Sequence, residues 1–136
     1  SDYPRAVAVA QEDAAAAHGV PIYLFGSSAE VLGKAARDLA LRTDGALDIA
    51  GTEAPPHGFD PESRDADDAL DRIAASGARL CFLALGAPKQ EVLAARAVSR
   101  GINVGFVSVG AALDFIAGAR TARLKATSPR ALALRR

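Results

Sequence analysis

Among 136 residues there is a single cysteine, Cys81, so neither an internal disulfide framework nor a CxxC metal knuckle is available. Histidine is almost as scarce, and His18 and His57 are too far apart in the chain to suggest a zinc set. The chain also lacks net charge: 16 acids balance 16 bases, which argues against a protein that coats polyanions. No long hydrophobic run exists either. The longest apolar stretch, residues 104–113, is interrupted by Ser108 and two glycines and is too short to span a bilayer. No signal-peptide pattern begins at Ser1, and with one thiol a reducing, cytoplasmic setting is the expectation.

What is present is an ordinary globular composition, half apolar and a quarter charged, at a length where single cores close (~100–200 residues). The zero net charge hides an asymmetry. After Asp114 there is no acid, while residues 119–136 hold Arg120, Arg123, Lys125, Arg130, Arg135 and Arg136. Residues 1–118 therefore read as one domain, and 119–136 as a basic tail. The tail carries no aromatics for base stacking, so nucleic acid is a poor partner and an anionic membrane or a pyrophosphate a better one.

Apolar periodicity alternates between helix and strand along the chain. A helix is expected over 3–17, capped by Asp2 and ended by Gly19. A wholly apolar strand over 21–25 follows, then a helix opened by a Ser27/Glu30 capping box with Val31, Leu32, Ala35 and Leu39 on its apolar stripe. The second strand, 47–51, carries Asp48 between Leu47 and Ile49, which places it at an edge. Residues 52–63 read as a loop rich in Pro and Gly that holds Phe59 and Glu53. A third helix over 64–76 buries Ala66, Leu70, Ile73 and Ala74, leaving Asp67 and Asp71 on a solvated face. The most hydrophobic strand, 80–85, runs into a helix opened by Pro88 and closed by Gly101, and a fourth strand spans 103–109. Strands joined by helices, with no hairpin signal, imply right-handed crossovers. The expected fold is a three-layer α/β/α, Rossmann-like domain with a four-stranded parallel sheet in the order 2-1-3-4.

In such a sheet ligands bind beyond the carboxyl ends of the strands where the winding reverses, here between strands one and three. The turns facing that crevice are Gly26-Ser27-Ser28 and Gly86-Ala87-Pro88-Lys89-Gln90. The second opens a helix whose free N–H groups and positive dipole end favour phosphate. Lys89 adds a positive charge, and the Gln90 amide both donates and accepts. Each turn also has a purely structural reading, as a strong helix start. Gly26-Ser27-Ser28 lacks the second glycine of a GxGxxG fingerprint, which counts against a dinucleotide oxidoreductase with Glu53 as its ribose acid. Asp114, past a strand end after Gly110, reads equally as a ligand of ribose hydroxyls or a base and as a helix cap or a partner of one of the tail arginines. His57, beside two prolines, reads as solvated.

The segments Leu85-Gly86-Ala87-Pro88-Lys89-Gln90-Glu91 and Val109-Gly110-Ala111-Ala112-Leu113-Asp114-Phe115-Ile116-Ala117-Gly118 together resemble the WecG/TagA/CpsF family of bacterial glycosyltransferases. The departures are at Ser108 and Leu113, and Ile22-Tyr23-Leu24-Phe25-Gly26 with Gly58-Phe59 extends the likeness over residues 1–118. The resemblance implies inverting transfer of an N-acetylmannosamine-like sugar or glucose from a UDP-sugar to a polyprenyl-pyrophosphate-linked acceptor at the cytoplasmic membrane face. The products are cell-wall or other surface polysaccharides. It further implies that Gln90 and Asp114 contact the nucleotide-sugar, with the helix start at Pro88 near its diphosphate, and that Arg120 and Arg123 belong to a tail that meets pyrophosphate and membrane.

Ser1-Asp2 is similar to a pair in the middle of the family's domain, which implies an upstream half carrying the acid proposed as catalytic base. No catalytic residue is therefore assigned within the chain. No Asp-x-Asp motif stands at a strand end, so neither an obligatory metal nor a cofactor is expected. A noncatalytic nucleotide- or nucleotide-sugar-binding module is the competing class, and a homo-oligomer is compatible with either.

Overall fold

The computed structural model describes residues 14–109. Their four strands, β1 (Ile22–Gly26), β2 (Ile49–Glu53), β3 (Leu80–Ala84) and β4 (Gly105–Ser108), form one parallel sheet in the order β2-β1-β3-β4. The expected topology is therefore the observed one. Helices α1 (Ala29–Arg42), α2 (Arg64–Ala75) and α3 (Lys89–Ser99) make the crossovers. Residues 14–18 are helical, and the remainder of the helix expected over 3–17 lies outside the described residues.

The alternation of side chains along the strands divides the interior into two cores. Ile22 and Leu24 of β1 and Phe82 of β3 face α1, where Leu32, Ala35 and Leu39 are buried. Tyr23 and Phe25, with Cys81 and Leu83, face α2 and α3 and meet Ala66, Leu70, Ile73, Leu93 and Ala97. All five β1 residues are buried, as its unbroken apolar run requires for a strand covered on both sides. Cys81 is a free thiol, and burial pushes its pKa up. Each fully buried Leu, Ile or Phe stabilises the fold by about 1.5–3 kcal/mol.

Several boundaries move from their sequence positions, each for a local reason. The second strand begins two residues late, at Ile49, because Leu47 is a core plug whose N–H bonds to the Thr43 hydroxyl (3.2 Å). The ladder starts only where the Ile22 N–H donates to the Asp48 carbonyl (2.8 Å). The cap of α1 is Ser28 rather than Ser27: its hydroxyl accepts from the Val31 N–H (3.2 Å), and Glu30 turns outward to Lys34 (3.2 Å) instead of closing a capping box. In α2 Ala69 is buried along with the expected Ala66, whereas Ala74 is exposed. Pro88 is the N-cap of α3 rather than a residue inside its first turn.

Asp67 and Asp71 do not form a merely solvated face. Asp67 receives Arg96 through Nε (2.6 Å) and Nη2 (3.1 Å), and Arg100 reaches both Asp71 (3.1 Å) and Asp67 (3.6 Å). These bonds tie α2 to α3 along the rim of the second core. The Arg96 hydrogen bond, with Arg100 beside it, holds the Asp67 carboxyl below its ordinary 3.8. A carboxyl lowered by folding contributes stability above its unfolded pKa, and that contribution is lost as pH falls through the folded value. Asp67→Asn should therefore lower the urea midpoint at neutral pH, with the gap from the parent protein closing below about pH 4. A pH-independent gap would mean that packing, not charge, is what Asp67 supplies.

At the carboxyl end of β1 the backbone of Gly26 lies against β3. A Cβ built there would sit 2.3 Å from the Ala84 carbonyl oxygen, and φ is +122°. Both obstacles are backbone. Gly26→Ala should cost about 2–4 kcal/mol in urea unfolding, from strain and overpacking together. Gly33→Ala, in α1 with nothing within 4 Å, should instead stabilise by about 0.5–1 kcal/mol.

Candidate functional site

The two turns singled out from sequence meet at the switch point of the sheet. Gly26 is in register with Ala84, and beyond it Ser27, at φ +56°, donates its N–H to the Ala84 carbonyl (2.9 Å). A left-handed serine is uncommon outside glycine-like turns, and here the Ala84 bond fixes it. It lets the chain leave β1 sideways, so that α1 starts beside the loop leaving β3. That loop turns at Gly86 (φ +79°), passes through a cis Ala87-Pro88 bond, and enters α3, where the Gln90 N–H donates to the Gly86 carbonyl (3.1 Å). On the far side of β3, Leu83 is in register with Ser108 and accepts from the Val109 N–H (2.9 Å). Gly26, Ser27, Gly86, Pro88, Lys89 and Gln90 thus follow the carboxyl ends of the two inner strands. Gly110, Asp114, Arg120 and Arg123 lie outside the described residues.

The helix starts differ in electrostatics. Ser28 caps α1 and Ser63 caps α2 through side-chain hydroxyls, but α3 begins at Pro88 with no side-chain cap. Pro88 brings no N–H and the Gln90 N–H is spent on Gly86, so the donors left open in this first turn among the described residues are the Lys89 and Glu91 N–H groups. One residue into α3, the Gln90 side-chain oxygen is buried with no hydrogen-bond partner among the described residues. An unpaired buried carbonyl costs about 1–3 kcal/mol, which an incoming donor would recover.

A second cluster lies at the end of β2 and was not legible in the sequence. Glu53 does not stand in the loop; it is the last residue of β2. The Arg72 guanidinium grips its carboxylate with Nε (3.0 Å) and Nη2 (2.6 Å), and the Tyr23 hydroxyl donates to Oε1 (3.2 Å). Gly51 makes room for the phenol: a Cβ there would fall 2.6 Å from the Tyr23 ring. The signal available was a glycine in an edge strand, which marks a close approach. Glu53 and Arg72 border a half-open cavity of about 170 Å³ that is also lined by Pro55, Pro56 and Phe59 of the loop and by Asp65 and Asp68 of α2. Phe59 is buried, its ring edge-on to Phe25 with centroids 5.6 Å apart, so this loop is anchored. His57 is exposed in a turn of the same loop. Among the described residues no group of three or more acids, cysteines or histidines is arranged to hold a metal.

Burial and the adjacent Glu53 carboxylate push the Tyr23 phenol up to about 12. A neutral group with a raised pKa stabilises the fold below its unfolded pKa and loses that contribution as pH rises through the folded value, here between about 10 and 12. Phenolate absorbance should show a titration near pH 12 that disappears in Tyr23→Phe. A Tyr23 step near pH 10 would mean that neither the burial of the phenol nor its Glu53 contact persists in solution.

The model of the glycosyl transferase WecG/TagA/CpsF family matches residues 7–125. That span contains the sheet, both turns of the crevice and the Glu53 cavity. No helix of the described residues is long and apolar enough to cross a membrane. On the extent of that match, the chain belongs to the WecG/TagA/CpsF family of glycosyl transferases.

Proposed function

We propose that the crevice between β1 and β3 binds a UDP-sugar, and that the chain serves transfer of its sugar to a polyprenyl-pyrophosphate-linked acceptor in bacterial surface-polysaccharide synthesis. The observation that carries this reading is the start of α3: an uncapped helix end beside the Ser27 turn, with the Gln90 carbonyl oxygen buried and unpaired. The diphosphate would lie on the first-turn amides and near Lys89, where the negative charge that builds on UDP as it departs is stabilised by fixed donors. Gln90 would accept from a nucleoside or sugar N–H or hydroxyl. Gly110 and Asp114 would border the same site from the segment after β4, and Arg120, Arg123 and the rest of the tail would meet the acceptor pyrophosphate or an anionic membrane surface. Inversion follows if an acceptor hydroxyl, deprotonated by a carboxylate, attacks the face opposite the leaving UDP. The donor would be an N-acetylmannosamine-like sugar or glucose.

A second reading, a nucleotide-sugar-binding module without turnover, has one specific observation in its favour. Strands β1, β3 and β4 end on Gly26, Ala84 and Ser108, and the carboxylate that ends β2, Glu53, is already held by Arg72 and Tyr23. A base in hydrogen-bond reach of the acceptor is worth ~100- to 10,000-fold in rate. Sugar product, followed with a panel of UDP-sugars and a lipid-pyrophosphate acceptor, decides between the two readings.

Calorimetric titration with UDP, UMP and NAD should show UDP preferred, and Gln90→Ala should weaken UDP-sugar binding by ~1–2 kcal/mol without lowering the melting temperature of the free protein. Equal or stronger NAD binding overturns the proposal. A collapse of thermal stability in Gln90→Ala would make that residue structural.

A further inference from the structure

The helix α2 carries four aspartates, and the structure treats them as two pairs. Asp67 and Asp71 are bound by Arg96 and Arg100 of α3. Asp65 and Asp68 border the 170 Å³ cavity and make no hydrogen bond or close ion pair with any described residue, although the Asp68 charge acts on Arg72 across the cavity. One pair is spent on holding two helices together; the other leaves its acceptor capacity facing an opening. The opposite wall is of another character, since Pro55, Pro56 and the buried Phe59 line it with apolar side chains.

Between the walls, Arg72 is pinned to Glu53 through Nε and Nη2, so its Nη1 donors are held in a fixed place and not used by Glu53. Charge and size narrow the occupant. Three carboxylates against one guanidinium make the cavity net negative, which repels a phosphate or diphosphate. Its volume equals the share of about six waters and lies below the roughly 300–1,000 Å³ that enclose larger ligands, so it is too small to enclose a whole nucleotide. A divalent ion is equally unsuited, because the acids are not arranged as a metal set among the described residues.

We infer that the cavity between the Pro55-Pro56 loop and α2 is a subsite for one neutral pyranose ring. Ring hydroxyls donate to the open acceptors of Asp65 and Asp68, the Arg72 Nη1 donates to a ring or hydroxyl oxygen, and the C–H face lies on the Pro55, Pro56 and Phe59 wall. The inference rests on the reading of the chain as a UDP-sugar transferase only for the source of the ring, which is either the donor sugar or the terminal sugar of the acceptor.

The test is amide chemical-shift mapping on the full chain, labelled with nitrogen-15. N-acetylmannosamine and glucose should each shift the amides of Phe59, Asp65 and Asp68, while UDP shifts those of Ser27, Gly86 and Gln90 and leaves the cavity unmoved. The Asp65→Asn/Asp68→Asn double variant, altered only at exposed positions, should lose about tenfold or more in sugar affinity with UDP affinity and melting temperature unchanged. Intact UDP-sugar that shifts both sets at one saturation identifies the donor sugar. A UDP-sugar confined to the crevice, with a soluble short-chain prenyl-pyrophosphate sugar shifting the cavity, identifies the acceptor sugar. The subsite is overturned if neither monosaccharide shifts the cavity amides, if UDP or calcium shifts them as strongly as sugar does, or if the double variant binds sugar like the parent. Failure of UDP to bind anywhere would sink the proposed function and leave the sugar titration to be judged on its own.

Discussion

The arrangement of the candidate site depends on how closely two strands can end beside each other. At Gly26 the β1 backbone comes so near the Ala84 carbonyl that no side chain fits, and the next residue is fixed by a hydrogen bond to that same carbonyl. This contact sets where β1 stops, which way Ser27 turns the chain, and how near the start of α1 lies to the Gly86 loop. The crevice at the switch point is thus a product of backbone proximity rather than of any charged pair. The side chains that would read a ligand, Gln90 above all, are delivered by the loop on the other side of that contact.

Much of the fold was legible because it is written in local pattern. The unbroken apolar runs of β1 and β3 can only be strands covered on both sides, and Asp48 in the second apolar segment marks the edge of the sheet. What local pattern misses is competition among neighbouring polar groups. Ser27 and Ser28 are both good caps; the choice between them was decided by Ser27 being held in a left-handed turn by Ala84, a residue far away in the chain. Leu47 looked like a strand residue and is instead a plug secured by Thr43. Ala69 and Ala74 differ in burial because residues 66, 69, 70 and 73 share the one stripe of α2 that meets the sheet, while 74 lies beside it.

The candidate site divides in the same way. The crevice turns were visible as strand-to-helix junctions with glycine and proline in recognisable places, and the described residues among them do come together. The cluster around Glu53 was invisible because each of its contacts spans a crossover: Tyr23 from β1, Arg72 from α2, Phe59 from the loop. Nor does a run of aspartates say which of them face another helix. That sorting depends on the rotation of α2 about its axis, which the packing of Ala66, Leu70 and Ile73 against the sheet determines.

The chain's one thiol lies inside the sheet, on β3, facing the second core. Burial suppresses the thiolate, and the thiolate is the reactive form. The folded protein therefore behaves chemically as if it had no cysteine: it offers no handle for alkylation and no partner for a disulfide between copies. A cysteine placed on the exposed surface would be the sole labelling point in the molecule, so a spectroscopic probe could be attached beside either the crevice or the cavity without first engineering Cys81 away.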